Sequence, residues 1–201
     1  AKYFAYGVRN SFGMAFDPVT GKLWDTENGP NSYDEINLVE PGFNSGWEQI
    51  MGPDARDPQD VGNLFQVLGS HYSDPEFSWL STVGPTAIAF LNSPQLGQQY
   101  RNDALVGDIN NGRLYHFKFN AARDGFIFQS AGLADLVADN DSELGEIVLG
   151  TGFGGITDLK VGPDGLLYVL SFVQGKIFVV ARKFSVNCPG DALQAVIDNA
   201  L

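Results

Sequence analysis

The stretch that decides the fold is residues 6–47, YGVRNSFGMAFDPVTGKLWDTENGPNSYDEINLVEPGFNSGW. Its apolar residues alternate over residues 12–16, and a Pro/Gly turn at 18–21 leads into a returning strand over 22–26. Residues 36–39 read as a further strand. Polar residues collect in the loops between these strands. The stretch therefore predicts a rigid sheet that carries a site in its loops.

Two later units repeat this plan of apolar strand, Pro or Gly turn, and apolar strand with an aromatic residue. The strands of the second unit are predicted over residues 87–91, 104–108 and 112–119. Those of the third are predicted over residues 156–161, 166–171 and 176–181. Unit starts recur about every 70 residues, which is longer than the common repeats of propeller blades. The recurrence of four-stranded antiparallel units favours an all-β propeller. About three blades of a ring are expected, and a single long sandwich is the alternative.

The last residues of the chain change character. Residues 1–184 are interpreted as a partial β-propeller, and residues 185–201 as a C-terminal tail. Pro189-Gly190-Asp191 suits a helix start with Asp191 as N-cap, so a short docking helix is predicted there.

Composition limits the class of partner. The formal net charge is −12 over 201 residues, which argues against nucleic acid or an anionic membrane as partner. Cys188 is the single cysteine, so no internal disulfide is expected. No apolar run reaches the length needed to span a membrane.

Two groups of residues in the quoted stretch could bind ligands. Arg9 carries a planar donor fork suited to a carboxylate or quinone oxygen, and Asn10 follows it. Asp34, Glu35, Glu27 and the carbonyls around Gly29-Pro30 are hard oxygen donors of the kind that calcium takes. The structural alternatives are an Arg9 paired with a nearby carboxylate and an aspartate that caps a loop.

The chain resembles the soluble pyrroloquinoline-quinone (PQQ) sugar dehydrogenases, a quinoprotein family of glucose/sorbosone and aldose sugar dehydrogenases. The matching pieces are GVRNSFGMAFDPVTGKLW, ENGP and DEINLVEPGFNSGW. The resemblance covers most of the chain to about Arg182 and implies half of a six-bladed propeller. It implies that Arg9 and Asn10 contact PQQ. It also implies that the Gly29 and Pro30 carbonyls bind calcium with support from Asp34 and Glu35.

The implied function is part of an oxidoreductase that oxidises the anomeric carbon of a sugar to a lactone. The implied cofactors are PQQ and calcium, and the partners are a small sugar and an external electron acceptor. Family members are usually exported, so a periplasmic or secreted location is expected although no signal peptide opens the chain. Open sheet faces at both ends suggest a fragment, or self-association that completes the ring.

The family's catalytic histidine lies upstream of the Arg-Asn pair, whereas His71 and His116 lie downstream. Neither is assigned a catalytic role, and the chain is expected to be inactive alone.

Close relatives place an arginine before the aspartate of the penultimate strand motif, where this chain has Thr157. Three basic residues elsewhere in the chain are candidates to bind the PQQ carboxylates: Arg113, Lys160 and Lys176.

The departure at Thr157 favours an alternative function, a non-catalytic propeller module that binds calcium or a glycan. Residues 139–143, DNDSE, form a second acidic cluster. They lack the glycine and closing glutamate of an EF-hand, so a solvated turn is expected there.

Overall fold

The computed structural model describes residues 2–56 and 61–182. Their strands are β1 (Ala5–Tyr6), β2 (Ser11–Phe16), β3 (Leu23–Glu27), β4 (Asp34–Val39), β5 (Phe43–Asn44), β6 (His71–Tyr72), β7 (Phe77–Trp79), β8 (Pro85–Phe90), β9 (Ala104–Asp108), β10 (Leu114–Phe117), β11 (Val137–Ala138), β12 (Val148–Gly150), β13 (Ile156–Val161), β14 (Leu167–Ser171) and β15 (Lys176–Val180). In the same ranges, the helical pieces are short 3-10 turns at Asp54–Arg56, Val61–Asn63, Gln98–Tyr100, Ala131–Leu133 and Asp141–Glu146. The all-β prediction is confirmed. The predicted tail helix lies outside the described residues.

Three mainly antiparallel sheets follow one another along the chain. Their strand orders are β11-β7-β4-β3-β2, β12-β10-β9-β8 and β13-β14-β15. In the described ranges the sheets hold five, four and three strands, so the first exceeds the predicted four-stranded unit and the third has the three strands predicted for it. The fifth strand arises because β11, which follows the second sheet's first three strands, pairs in parallel with β7 of the first sheet. The number of blades and the closure of a ring stay predictions.

The first strands of the three sheets lie side by side, with β8 between β2 and β13. Gly13 on β2 permits this approach, since a Cβ there would lie 2.8 Å from the Ile88 nitrogen. On the other side of β8, the Thr86 hydroxyl donates to the Ile156 carbonyl at 2.5 Å. The three strands begin about 70 residues apart, which confirms the predicted period. Their beginnings therefore meet at one end of the molecule.

The core lies between the sheets. The first and second sheets enclose an aromatic layer whose buried members include Trp24, Phe77, Trp79, Tyr115 and Phe117. The rings pack edge-on, with centroids 4.9 Å apart for Phe77 and Trp79 and for Phe77 and Phe117. An aliphatic layer of leucine, isoleucine, valine and alanine fills the space between the second and third sheets. These layers fix how the ends of the sheets meet.

The chain start departs from the sequence prediction. The sequence of residues 1–8, which leads into Arg9-Asn10, predicts one strand, but only β1 is extended and paired. It pairs in parallel with β5, which pairs in turn with β6, so a small three-stranded sheet forms outside the first large sheet. The sequence HYSDPEFSW at residues 71–79 predicts a loop that ends near a strand, whereas the structure places β6 and the buried strand β7 within it.

Candidate cofactor and calcium site

The predicted site residues come together where β2 begins and β3 ends. The Asn28 amide nitrogen donates to the Asn10 carbonyl at 3.1 Å, which continues the hairpin beyond its strands. The Asn28 side chain also donates to the Pro85 carbonyl at 2.9 Å. Since Pro85 opens β8, the loop after β3 is tied to the start of the second sheet. The site therefore lies at the end where the sheets' first strands begin.

Arg9 is held beside this loop with part of its donor fork open. Its Nη1 donates to the Asn28 carbonyl at 2.6 Å, and its guanidinium carbon lies 5.1 Å from the centre of the Trp47 ring. The buried Nε has no hydrogen-bond partner among the described residues. Among the described residues, the Arg9 guanidinium forms no ion pair with a carboxylate. Glu27 accepts a hydrogen bond from the Arg9 backbone N–H. An unsatisfied buried N–H donor suits a ligand oxygen.

The Gly29-Pro30 turn offers backbone oxygens. Neither carbonyl accepts a hydrogen bond from any residue in the described ranges. A Cβ on Gly29 would overlap the carbonyl oxygens of Ser32 and Tyr33, so backbone oxygens crowd around this glycine. Uncommitted carbonyl oxygens are ligands that calcium takes. Within residues 2–56 and 61–182, no three His, Cys, Asp or Glu side chains form a metal cluster.

Asp34 organises this turn. It is fully buried, and one carboxylate oxygen accepts the Gly29 N–H at 2.9 Å. Its other oxygen accepts the N–H groups of Val83 and Gly84 at 2.6 and 2.7 Å. Burial raises the Asp34 pKa, and these three N–H donors oppose the rise. Because both oxygens are committed, Asp34 can support calcium by fixing the turn.

Glu35 points the other way. Asp34 and Glu35 are consecutive residues of β4, so their side chains lie on opposite faces of the sheet. The Glu35 carboxylate accepts the Gly52 N–H at 2.5 Å and the Asn37 side-chain amide at 3.2 Å. The two carboxylates of the Asp34-Glu35 pair therefore accept hydrogen bonds on opposite faces of the sheet and do not bind a common ligand.

The face with Glu35 buries further carboxylates. Glu27 and Glu35 are direct cross-strand partners, as are Asp25 and Asn37. Burial raises the pKa of all three acids, most strongly for Glu35, where the Glu27 charge adds to the effect. For Asp25, burial and then the charge of Glu27 raise the pKa to about 7. One Asp25 oxygen has no hydrogen-bond partner among the described residues.

Replacing Asp25 with asparagine is expected to flatten the pH dependence of stability. With its pKa raised on folding, Asp25 binds its proton more tightly in the folded chain. Its contribution is complete below pH 4 and is lost as pH rises through about 7, by at most about 1.4 kcal/mol per pH unit. Urea unfolding in EDTA at pH 5 and pH 8 measures this. The variant should lose less stability than the parent over that interval, and an equal loss would contradict the assignment.

The basic residues predicted as candidates for binding the PQQ carboxylates are either paired with acidic side chains or exposed. Arg113 makes a two-pronged pair with Asp141, at 3.0 and 2.8 Å. Lys160 pairs with Asp158 at 2.8 Å. Thr157 makes one long contact, 3.5 Å from its hydroxyl to the Leu170 carbonyl. Lys176 is exposed at the start of β15.

The remaining candidates have structural surroundings. His116, on β10, contacts Asp103 at 2.9 Å and packs edge-on against Tyr100. His71 lies 3.8 Å from Glu40 and is largely exposed. In the 139–143 cluster, Asn140 caps a 3-10 turn through the Ser142 N–H at 3.0 Å, as expected for a solvated turn.

The sequence model of the glucose/sorbosone dehydrogenase family matches residues 1–179. The chain belongs to this family. It is 30% identical over 175 residues to the aldose sugar dehydrogenase YliI of Escherichia coli K12, covering 85% of this chain and 41% of that protein. A 49-residue segment is 51% identical to quinoprotein glucose dehydrogenase B of Acinetobacter calcoaceticus, which is 24% of this chain and 10% of that protein.

Solved structures agree with this assignment. The apo form of the soluble E. coli aldose sugar dehydrogenase superposes with a TM-score of 0.61 at 25% identity, over 88% of this chain and 45% of that one. The PQQ-bound aldose sugar dehydrogenase of Streptomyces coelicolor gives a TM-score of 0.55 at 21% identity, over 84% and 39%, and supports the fold alone. The chain therefore spans less than half the length of these relatives.

Sequence reasoning missed two parts of the site. Trp47 provides the ring against which Arg9 lies, and Tyr33 lies inside the turn. The tryptophan at the end of NSGW, just beyond a short strand, was the available signal. The sequence carries no signal for Tyr33, because its role depends on its backbone conformation.

Proposed function

We propose that this chain carries the PQQ-contacting and calcium-binding part of a dehydrogenase that oxidises a sugar at its anomeric carbon to a lactone. One observation carries the proposal. Arg9, with an unpaired buried N–H, is hydrogen-bonded to Asn28, directly beside the open carbonyls of Gly29 and Pro30. A donor for an anionic quinone and oxygen ligands for a cation thus share one loop.

The residues divide the task. Arg9 and the exposed Asn10 would hold PQQ oxygens, and Trp47 keeps the guanidinium in place. The Gly29 and Pro30 carbonyls would bind calcium, while Asp34 fixes their turn and Glu35 fixes Gly52. When bound, PQQ supplies a two-electron acceptor and calcium polarises it.

Calcium binding tests the loop directly. Gly29→Ala places a methyl group against the Ser32 and Tyr33 carbonyls, so calcium affinity should fall about tenfold because fewer molecules hold the competent turn. Isothermal titration calorimetry with calcium chloride measures the change. The matched control is Gly145→Ala, where a Cβ meets nothing within 4 Å. Equal calcium affinity in the parent and both variants would contradict the assigned ligands.

We further propose that the 201-residue chain is inactive alone. It contains no histidine before Arg9, and relatives are more than twice as long. With PQQ, calcium, glucose and a dye acceptor, no reduction of the dye is expected. Sustained turnover would show that a base in this chain had been overlooked.

The proposal includes the partners and the location of the whole protein. The substrate is a small sugar, the electrons pass to an external acceptor, and the location is periplasmic or extracellular. Self-association of the chain would complete the ring. No helix in the described ranges is long and apolar enough to cross a membrane.

A non-catalytic calcium- or glycan-binding module is the second candidate. Thr157 favours it, since no cation stands at that position and Lys160 is paired with Asp158. Calcium binding without PQQ binding would support this candidate, because it needs the turn but not the open Arg9 donors.

A further inference from the structure

Tyr33 holds an unusual backbone conformation inside the proposed calcium turn. Its φ is +58°, in the left-handed region that side chains rarely adopt. Only four non-glycine residues in the described ranges have positive φ, and Tyr33 alone of these lies between the Gly29-Pro30 turn and β4. A strained residue persists only where its surroundings over-determine it, and such residues gather at functional sites.

Two contacts hold this conformation. The Tyr33 N–H donates to the Leu80 carbonyl at 3.1 Å. Its ring lies against Gly52, where a Cβ would collide with the ring atoms. Gly52 is itself at φ +83° and is fixed by its N–H donating to Glu35. The ring thus packs on a backbone that the buried carboxylate face holds in place.

The conformation of Tyr33 determines where the turn's oxygens lie. The left-handed residue reverses the chain, so the Ser32 and Tyr33 carbonyls face Gly29 while the next residue, Asp34, accepts the Gly29 N–H. An extended Tyr33 would turn these carbonyls away and move Asp34. The Gly29 and Pro30 oxygens would then lose the frame that aligns them.

We propose that Tyr33 is a positioning residue for calcium: its ring, seated on Gly52, holds the left-handed backbone that aligns the turn's carbonyls. This inference rests on the proposed function. Tyr33 touches no reacting atom and acts through the turn.

Three substitutions of Tyr33 distinguish the effect of its ring on calcium affinity from the effects of its backbone conformation and of the stability of the fold. Tyr33→Phe keeps the ring and should bind calcium within about twofold of the parent. Tyr33→Val removes the ring and disfavours positive φ, so calcium affinity should fall at least about tenfold. Tyr33→Gly removes the ring but accepts positive φ freely, and should recover much of that loss. Calorimetry with calcium chloride gives the affinities, and melting curves in EDTA give the stability of each variant.

The outcomes are distinct. A fall in the valine variant with recovery in the glycine variant supports the inference. A valine variant that melts earlier in EDTA yet binds calcium normally would overturn it, since Tyr33 would then be structural only. If the valine variant cannot be purified folded, the phenylalanine variant decides: calcium affinity more than about tenfold below the parent's although the ring is kept would overturn the inference. If the parent binds no calcium, the proposed function fails as well.

Discussion

Replacing Arg9 with leucine is expected to weaken PQQ binding by about a hundredfold, since truncating one partner of a desolvated charged contact costs about 2–5 kcal/mol. The leucine removes the unpaired Nε donor and leaves Trp47 without the guanidinium that lies 5.1 Å from its ring centre. Equilibrium titration of PQQ in excess calcium measures the change. Calcium affinity without PQQ should alter little, because the Gly29 and Pro30 carbonyls remain.

Arg101→Leu is the matched control for charge. Arg101 is exposed at the end of a 3-10 turn, and its loss changes net charge by the same amount. PQQ affinity should stay within about twofold in this control, because exposed charges are screened by salt. Equal weakening by both substitutions would mean that PQQ responds to overall charge, and the role assigned to Arg9 would be wrong.

Replacing Asp34 with alanine is expected to lower the free energy of unfolding by about 4 kcal/mol, and to abolish measurable calcium binding. The alanine leaves the N–H groups of Gly29, Val83 and Gly84 without their acceptor, and each buried unpaired donor costs about 1–3 kcal/mol. Some relaxation and entry of water reduce the sum. Urea unfolding in EDTA gives the stability change, and calorimetry gives the calcium affinity.

Two further substitutions bracket this effect. Asp34→Asn keeps one carbonyl oxygen as acceptor and should lose roughly half as much stability. Asp124→Ala removes an exposed carboxylate that accepts from Asn120 and should cost less than about 0.5 kcal/mol. A loss below about 1 kcal/mol for Asp34→Ala would show that water replaces the carboxylate, and that the turn does not depend on it.

The sequence was sufficient for the strands that alternate strongly and end at distinct turns. The β2–β3 hairpin across Asp17-Pro18 and the β13–β14 hairpin across residues 162–165 were predicted to within two residues. The short strands β6 and β7 were missed, because they have only two or three residues and too little periodicity to show. The parallel addition of β11 to the first sheet depends on contacts distant in sequence, which local patterns do not encode.

The site divides in the same way. The residues Arg9, Asn10, Gly29 and Pro30 could be named from sequence because they stand in the matching pieces GVRNSFG and ENGP, just before β2 and just after β3. The divergence of Asp34 and Glu35 could be foreseen only by starting β4 at Asp34, whereas the apolar pattern began at Ile36. Neither the Tyr33 ring on Gly52 nor the unpaired Nε of Arg9 has a sequence signature, since both arise from how separate loops pack.

The most direct test of the central claim is the absorption spectrum of PQQ titrated with this chain, with and without calcium. A quinone held by Arg9 beside a cation on the Gly29-Pro30 turn should show a red shift that saturates only when calcium is present. Addition of EDTA should reverse the shift. A spectrum that stays that of free PQQ at every chain and calcium concentration would contradict the account.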